Sequence, residues 1–287
     1  MFFAPPPPPL RIVARPAAAF VDSVGVATHW GYTDVNYGRY EEARDLLAKS
    51  GIRHIRDDSH ERAFRICDET GVKLTAIASR TPEEELAIAT RNRNRIAMVE
   101  GYNEPDIFRQ TYRGQGFPDG PRAHHDELTR LLNRAGIPAA SSSTVFRQYE
   151  IAPLKGHRWA AFHPYAGGQP PERAWEPEFN SPMRKAFRMG DPAEPLPRLV
   201  ATESGYHTSQ NGTGVVAGVQ QGISPRAQGI YFPRHFLTGF DLNVDRTFTY
   251  EFLDERADGN DPENRFGIVD HEMRPKPAYL ALSSLLK

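Results

Sequence analysis

Val99-Glu100-Gly101-Tyr102-Asn103-Glu104-Pro105-Asp106 is the stretch on which the reading of this chain turns. It closes an apolar, strand-like run that begins at Ile96, and it places a carboxyl group behind an Asn and before a Pro, where extended backbone gives way to a loop. Leu199-Val200-Ala201-Thr202-Glu203-Ser204-Gly205 repeats the arrangement, again a short run ending on a carboxylate. The chain around these two segments alternates short apolar or β-branched runs with amphipathic helical stretches from about Val21, the pattern of a parallel sheet covered by helices.

The expected strands are Val24 to His29, Ile52 to Asp57, Val72 to Ala78, Ile96 to Glu100, Ala139 to Ser143, Trp159 to His163, Arg198 to Thr202 and Arg246 to Phe252. Between them, Tyr40, Ala43, Leu46 and Leu47 fall at helical spacing before Ser50-Gly51, and Glu61 to Thr70 stops at Gly71. Thr81-Pro82-Glu83-Glu84 opens a helix with a cap, a first-turn Pro and acidic residues facing the helix dipole. Arg122 to Ala135 is a further helix, another lies within Ser224 to Phe240 where Pro233 should kink it or mark its first turn, and Lys276 to Leu286 is the last. Eight strands with about eight helical segments predict a single-domain (β/α)8 barrel over residues 21–287, an α/β fold. A doubly wound sheet would need a glycine-rich phosphate turn after the first strand, and none of the Gly clusters stands there.

Residues 1–20 are expected to be a Pro-rich tail or linker, with Pro5 to Pro9 in polyproline II conformation. The start has no basic leader followed by a long apolar core. The sequence leaves localisation open: secreted or periplasmic if an upstream signal was removed, cytoplasmic otherwise. With 287 residues and a formal net charge of −1, the chain has no basic field to attract nucleic acid, and no apolar run is long enough to insert in a membrane. Cys67, the single cysteine, reads as a buried structural thiol beside Phe64, Ile66 and Val72. Asn211-Gly212-Thr213 fits a glycosylation acceptor, a tripeptide common by chance. The Pro-rich region from Gly167 to Pro182 is long enough to shape a substrate site.

A barrel delivers the C-terminal ends of all its strands to one face, and polar residues gather there: His29 and Trp30, Arg56 to Asp58, Asn103 and Glu104, His163 and Tyr165, Glu203, and Glu251. Two carboxylates at two strand ends point to glycosidic bond cleavage. One attacks the anomeric carbon while the other, kept protonated by the shared negative charge, protonates the departing oxygen. Trp30 and Trp175 suit sugar stacking, though either would equally suit a core.

Asn103-Glu104-Pro105 after the fourth strand, with Glu203 after the seventh, resembles the clan A retaining glycoside hydrolases, the barrel superfamily of cellulases, mannanases, xylosidases and galactosidases. Tyr250-Glu251-Phe252-Leu253-Asp254-Glu255, Arg265-Phe266-Gly267-Ile268-Val269 and Lys276-Pro277-Ala278-Tyr279 are similar to the end of the eighth strand and the last helix of that clan, so the resemblance runs from Val24 to Leu286. It implies Glu104 as acid/base, Glu203 as nucleophile and Asn103 on the sugar 2-hydroxyl. It also implies that His163 and Tyr165 orient the carboxylates and that Arg56 supports the nucleophile. It calls for a carbohydrate substrate with β-linkages, no cofactor and no metal. The chain departs from the clan at the eighth strand, where Tyr250 and Phe252 stand in place of a Trp platform; Glu251 beside them is a candidate ligand to substrate hydroxyls. Two other readings remain: a catalytically inactive carbohydrate-binding barrel, and a metal-dependent barrel hydrolase using His29, Asp57, His163 and Glu203. The second lacks the close His-X-His pair after the first strand that such sites commonly carry.

Overall fold

The computed structural model describes residues 14–176, 197–213 and 215–287; Pro5 to Pro9, and the part of the Pro-rich region beyond Glu176, lie outside the described residues. Eight parallel strands close into a barrel in sequence order: β1 Val24–Ala27, β2 His54–Asp58, β3 Lys73–Ile77, β4 Ile96–Glu100, β5 Ala139–Ala140, β6 Trp159–Phe162, β7 Arg198–Ala201 and β8 Val244–Thr249. β8 returns to β1 with Val24 beside Thr247 and Val26 beside Thr249, so no sheet edge is left open. The chain is a (β/α)8 barrel, as the alternation of runs predicts.

Side-chain alternation sorts each strand into two faces. Val24, Val26, Ile55, Leu74, Val99, Leu199 and Ala201 join the large apolar cluster shared with the helices, whereas Met98, Ala140, Trp159, Ala161, Val200 and Phe248 form a second cluster drawn from β4 to β8. Gly25 of β1 faces this second cluster, because any Cβ there would overlap the Phe248 ring. The same alternation places Arg56 and Glu100, each two residues beyond an inward position, at the top of the packed interior, and both are buried.

The helices follow the capping chemistry in the sequence. Thr81 and Glu84 form a reciprocal capping box at the start of Pro82–Arg91, and Gly71, at φ 79°, ends Glu61–Thr70 in the left-handed conformation. Pro233 is accommodated inside Pro225–Asp241, which continues through it. Ala17–Asp22, which begins in the segment expected to be tail, is helical, and its Phe20 packs edge-on against Phe240 at 5.5 Å. Cys67 is buried, and burial pushes its thiol up to about 12.

The strands keep within two residues of their expected ends except β5 and β8, which each stop three residues early for local reasons. β5 stops at Ala140 because the Ser141 hydroxyl takes the Ala161 N–H at 2.9 Å, replacing the next backbone bond to β6. β8 ends at Thr249 because Tyr250 N–H turns to the Ser204 carbonyl at 2.6 Å and Phe252 N–H to the Ala27 carbonyl at 3.0 Å.

Candidate active site

The strand ends bring Arg56, Asn103, Glu104, His163, Tyr165 and Glu203 into one group joined by hydrogen bonds and ion pairs. Arg56, from β2, is its hub. Its Nε donates to Glu100 Oε2 at 2.6 Å, its Nη1 to Glu203 Oε1 at 2.7 Å, and its Nη2 to Asn103 Oδ1 at 2.8 Å and Glu100 Oε1 at 3.2 Å. A guanidinium offers its donors in one rigid plane, which lets a single side chain fix three partners. Burial works against its charge, but Glu100 and Glu203 outweigh that penalty and hold Arg56 protonated.

Glu203 is buried and reached from a second side by the Tyr165 hydroxyl, which donates to Oε2 at 2.9 Å. Burial alone would raise its pKa; the charges of His163 and Arg56, together with the hydrogen bonds from Tyr165 and Arg56, reverse the sign and hold the carboxyl below its ordinary value. Tyr165 is pushed well above the ordinary tyrosine range by burial and by Glu203, so it remains a donor.

Glu104 sits at φ 43°, a left-handed backbone that a non-glycine residue adopts at a cost of about 1–2 kcal/mol. The turn is pinned by Glu104 N–H on the Ser143 carbonyl at 2.9 Å and by the amides of Ile107 and Phe108 on the Glu104 carbonyl. Asp106 binds this loop to the one after β5 by accepting from the amides of Val145, Phe146 and Arg147 at 3.1, 2.8 and 3.1 Å. The Glu104 carboxylate meets His163 Nδ1 at 2.7 Å, and that nitrogen stands 3.7 Å from Glu203 Oε2. One oxygen of each glutamate and one ring nitrogen of His163 lie within 4.8 Å of one another. Burial opposes charge on His163, but Glu203 and Glu104 raise its pKa above the ordinary histidine value.

His29 and Glu251 form a neighbouring group. His29 Nδ1 contacts Glu255 at 2.6 Å and Glu251 at 3.3 Å, while burial pushes Glu251 up to about 8. Tyr250 stands between the two groups, its ring centroid 5.6 Å from His29 and 5.2 Å from Phe266, whose ring is 6.2 Å from that of Tyr165. Phe252, the other aromatic expected at this strand end, is in the core.

Both tryptophans fall elsewhere. Trp30 is fully buried, because the turn after β1 folds its ring back against Tyr37 and Tyr40. Trp175 lies on the outside of the barrel between Phe162 and His235, in space left by Gly239. Neither presents a ring to a sugar. The donor set of the metal-dependent reading does not assemble: among the described residues His29 groups with Glu251 and Glu255, His163 with Glu104 and Glu203, and Asp57 accepts from Thr28 and the Trp30 amide.

Three participants escape the sequence reading. Glu100 ends an apolar run, and only the inward register of β4 shows that it meets Arg56. Ser143, which donates to Glu100 Oε1 at 3.1 Å, carries no signal of its own. Glu263 enters from a turn well beyond β8 and receives the Tyr250 hydroxyl at 3.1 Å.

No protein-family model matches the sequence, and no curated protein matches it. Solved structures do match its fold. A family 39 glycoside hydrolase from the gut symbiont Bacteroides cellulosilyticus WH2 is similar over 93% of this chain, with TM-score 0.65 and 14% identity. A β-glucuronidase from an uncultured Clostridium sp. is similar over 92%, with TM-score 0.64 and 16% identity. A GH2 β-galacturonidase from Eisenbergiella tayi bound to galacturonate is similar over 91%, with TM-score 0.62 and 17% identity. At these identities the likeness shows the barrel fold. The chain spans 64% of the first of these structures and 50% of the other two.

Proposed function

We propose that this chain is a retaining glycoside hydrolase that cleaves β-linked bonds in an oligosaccharide or polysaccharide by double displacement, with Glu203 as nucleophile and Glu104 as acid/base. The observation that carries the reading is the approach of the two carboxylates within 4.8 Å at the barrel mouth. A retaining mechanism needs its carboxyl groups roughly 5 Å apart, whereas an inverting one leaves about 6.5–9.5 Å for a water.

Glu203, kept ionised by Arg56 and His163, attacks the anomeric carbon while the Glu104 carboxylic acid gives its proton to the departing oxygen. The bond to the leaving group breaks as the glycosyl ester to Glu203 forms. Glu104, now a carboxylate, takes a proton from water, which attacks the same carbon and releases Glu203. His163 Nδ1 stays within reach of Glu104 throughout, so the proton carrier holds one orientation in both half-reactions. Because Arg56 engages Asn103 Oδ1, the Asn103 amide nitrogen is left to donate to the sugar 2-hydroxyl, a bond that strengthens in the transition state.

Trapping tests the assignment. An activated 2-deoxy-2-fluoro β-glycoside should inactivate the enzyme in step with a covalent mass increase that maps to the peptide bearing Glu203. Label on another residue in a protein that hydrolyses the parent glycoside contradicts the reading.

A further inference from the structure

Arg56 is bonded to two glutamates, and the proposed chemistry alters only one of them. Glu100, at the end of β4, is fully buried and takes one edge of the guanidinium, accepting from Nε at 2.6 Å and from Nη2 at 3.2 Å. The Ser143 hydroxyl donates to the same carboxylate, on Oε1 at 3.1 Å. With that edge occupied, Nη1 donates to Glu203 Oε1 at 2.7 Å, and Nη2 also reaches Asn103 Oδ1 at 2.8 Å. A guanidinium and a carboxylate joined by two bonds hold a common plane, so the Glu100 contact sets the direction in which Nη1 points. The other titratable groups acting on Glu203 are His163 and Tyr165 from the loop after β6, Glu104 from the loop after β4, and Tyr250 and Glu263 from beyond β8. Glu100 acts on Glu203 through Arg56.

Esterification removes the charge that Glu203 presents to Arg56. As a Glu203 oxygen bonds to the anomeric carbon, the glycosidic C–O bond gives its electron pair to the leaving oxygen, which takes the Glu104 proton. One negative charge disappears at Glu203 and one appears at Glu104, where His163 Nδ1 meets it at 2.7 Å. Arg56 is only 2% exposed, and a buried cation that loses its partner is costly. We propose that Glu100 is a positioning residue: it aims Arg56 Nη1 at the nucleophile in the resting enzyme, and it is the counterion that keeps Arg56 paired while Glu203 is esterified. The inference rests on the glycosidase reading and adds to it a third carboxylate, which touches no substrate.

The test follows formation and breakdown of the glycosyl-enzyme in wild type, Glu100→Gln and Ser143→Ala with an activated 2-deoxy-2-fluoro β-glycoside. The glutamine keeps the shape of Glu100 and an acceptor oxygen for Arg56 while removing the charge. Glu100→Gln should be labelled about 100-fold more slowly than wild type, because Arg56 is left unpaired in the product of that step. Release of the label should be as fast as in wild type or faster, since that step returns the Glu203 charge to Arg56. With Arg56 no longer shared, the acid limb of kcat/KM should move to lower pH, the direction opposite to that expected when Arg56 itself is replaced. Ser143→Ala removes one bond to Glu100 and keeps its charge, and should slow labelling by about fivefold with release unchanged. A residue with only a structural role would slow labelling and release alike. Equal slowing, unchanged labelling, or an acid limb that stays or rises in Glu100→Gln overturns the inference, while a labelled wild type keeps the glycosidase reading. If Glu100→Gln does not fold, Ser143→Ala decides by the same contrast between labelling and release. A wild type that takes no label and hydrolyses no glycoside removes the glycosidase reading. NMR titration of the isotopically labelled Glu203 carboxyl then decides the rest: ionisation at lower pH in Glu100→Gln keeps the hold of Glu100 on Arg56, and an unmoved Glu203 removes it.

Discussion

Arg56 carries more of the site than either glutamate, because one buried cation is shared between Glu203, Glu100 and Asn103. Replacing it with Gln leaves Glu100 buried and uncompensated, which should cost about 3–5 kcal/mol of stability. It should also change the pH profile in a defined direction. Glu203 is held below its ordinary value of 4.5, so the acid limb of kcat/KM in the wild type should lie below that pH; without Arg56 the carboxyl rises and the limb moves upward. A profile with an unmoved acid limb would show that Glu203 is not the group that must be ionised. At this scale the sequence is legible where chemistry and position coincide: Asn103, Glu104 and Glu203 stand at strand ends beside breaking residues. Glu100 and Glu263 are not legible, since one depends on which face of β4 turns inward and the other reaches the mouth from a distant turn.

At the scale of elements, alternation and capping chemistry predict the strands and helices closely, and the errors gather at the loops. Thr81 and Glu84, or Gly71, specify a terminus through bonds within a few residues. The direction of the turn after β1 is set instead by packing of Trp30 on Tyr37 and Tyr40, contacts absent from any local pattern. The burial of Trp30 gives a prediction opposite to that of a sugar platform. Trp30→Ala should cost about 3–5 kcal/mol, seen as a lower denaturation midpoint, while KM under native conditions stays within about twofold of the wild type. A large rise in KM with little change in stability would return Trp30 to the binding surface.

At the scale of the molecule, buried histidines on the helices tie folding to pH through their neutrality. Burial lowers His124 to about 4 and His235 to about 3, and holds His125 well below its ordinary value. In the unfolded chain these imidazoles take up protons near pH 6.5, whereas in the folded protein they resist until far lower pH. The unfolded state therefore binds more protons as pH falls. The contribution of these three histidines is therefore complete above about pH 6.5 and should be lost between about 6.5 and 4, by up to ~1.4 kcal/mol per pH unit for each histidine. Denaturant midpoints measured across that range check the slope, and a flat profile would mean that these histidines are accessible to protons in the folded state. The barrel itself is the most legible feature of the sequence, because eight repeats of one pattern average out local errors, and parallel strands buried on both faces declare themselves as apolar runs.

The account turns on whether the bond is broken with retention by Glu104 and Glu203, and the stereochemistry of the first-formed product decides it. Proton NMR of a β-glycoside during its first minutes of hydrolysis should show the β-anomer released first, with mutarotation following, and Glu104→Ala and Glu203→Ala should each abolish that signal. Initial release of the α-anomer, or activity that survives Glu203→Ala, would contradict the two-carboxylate mechanism.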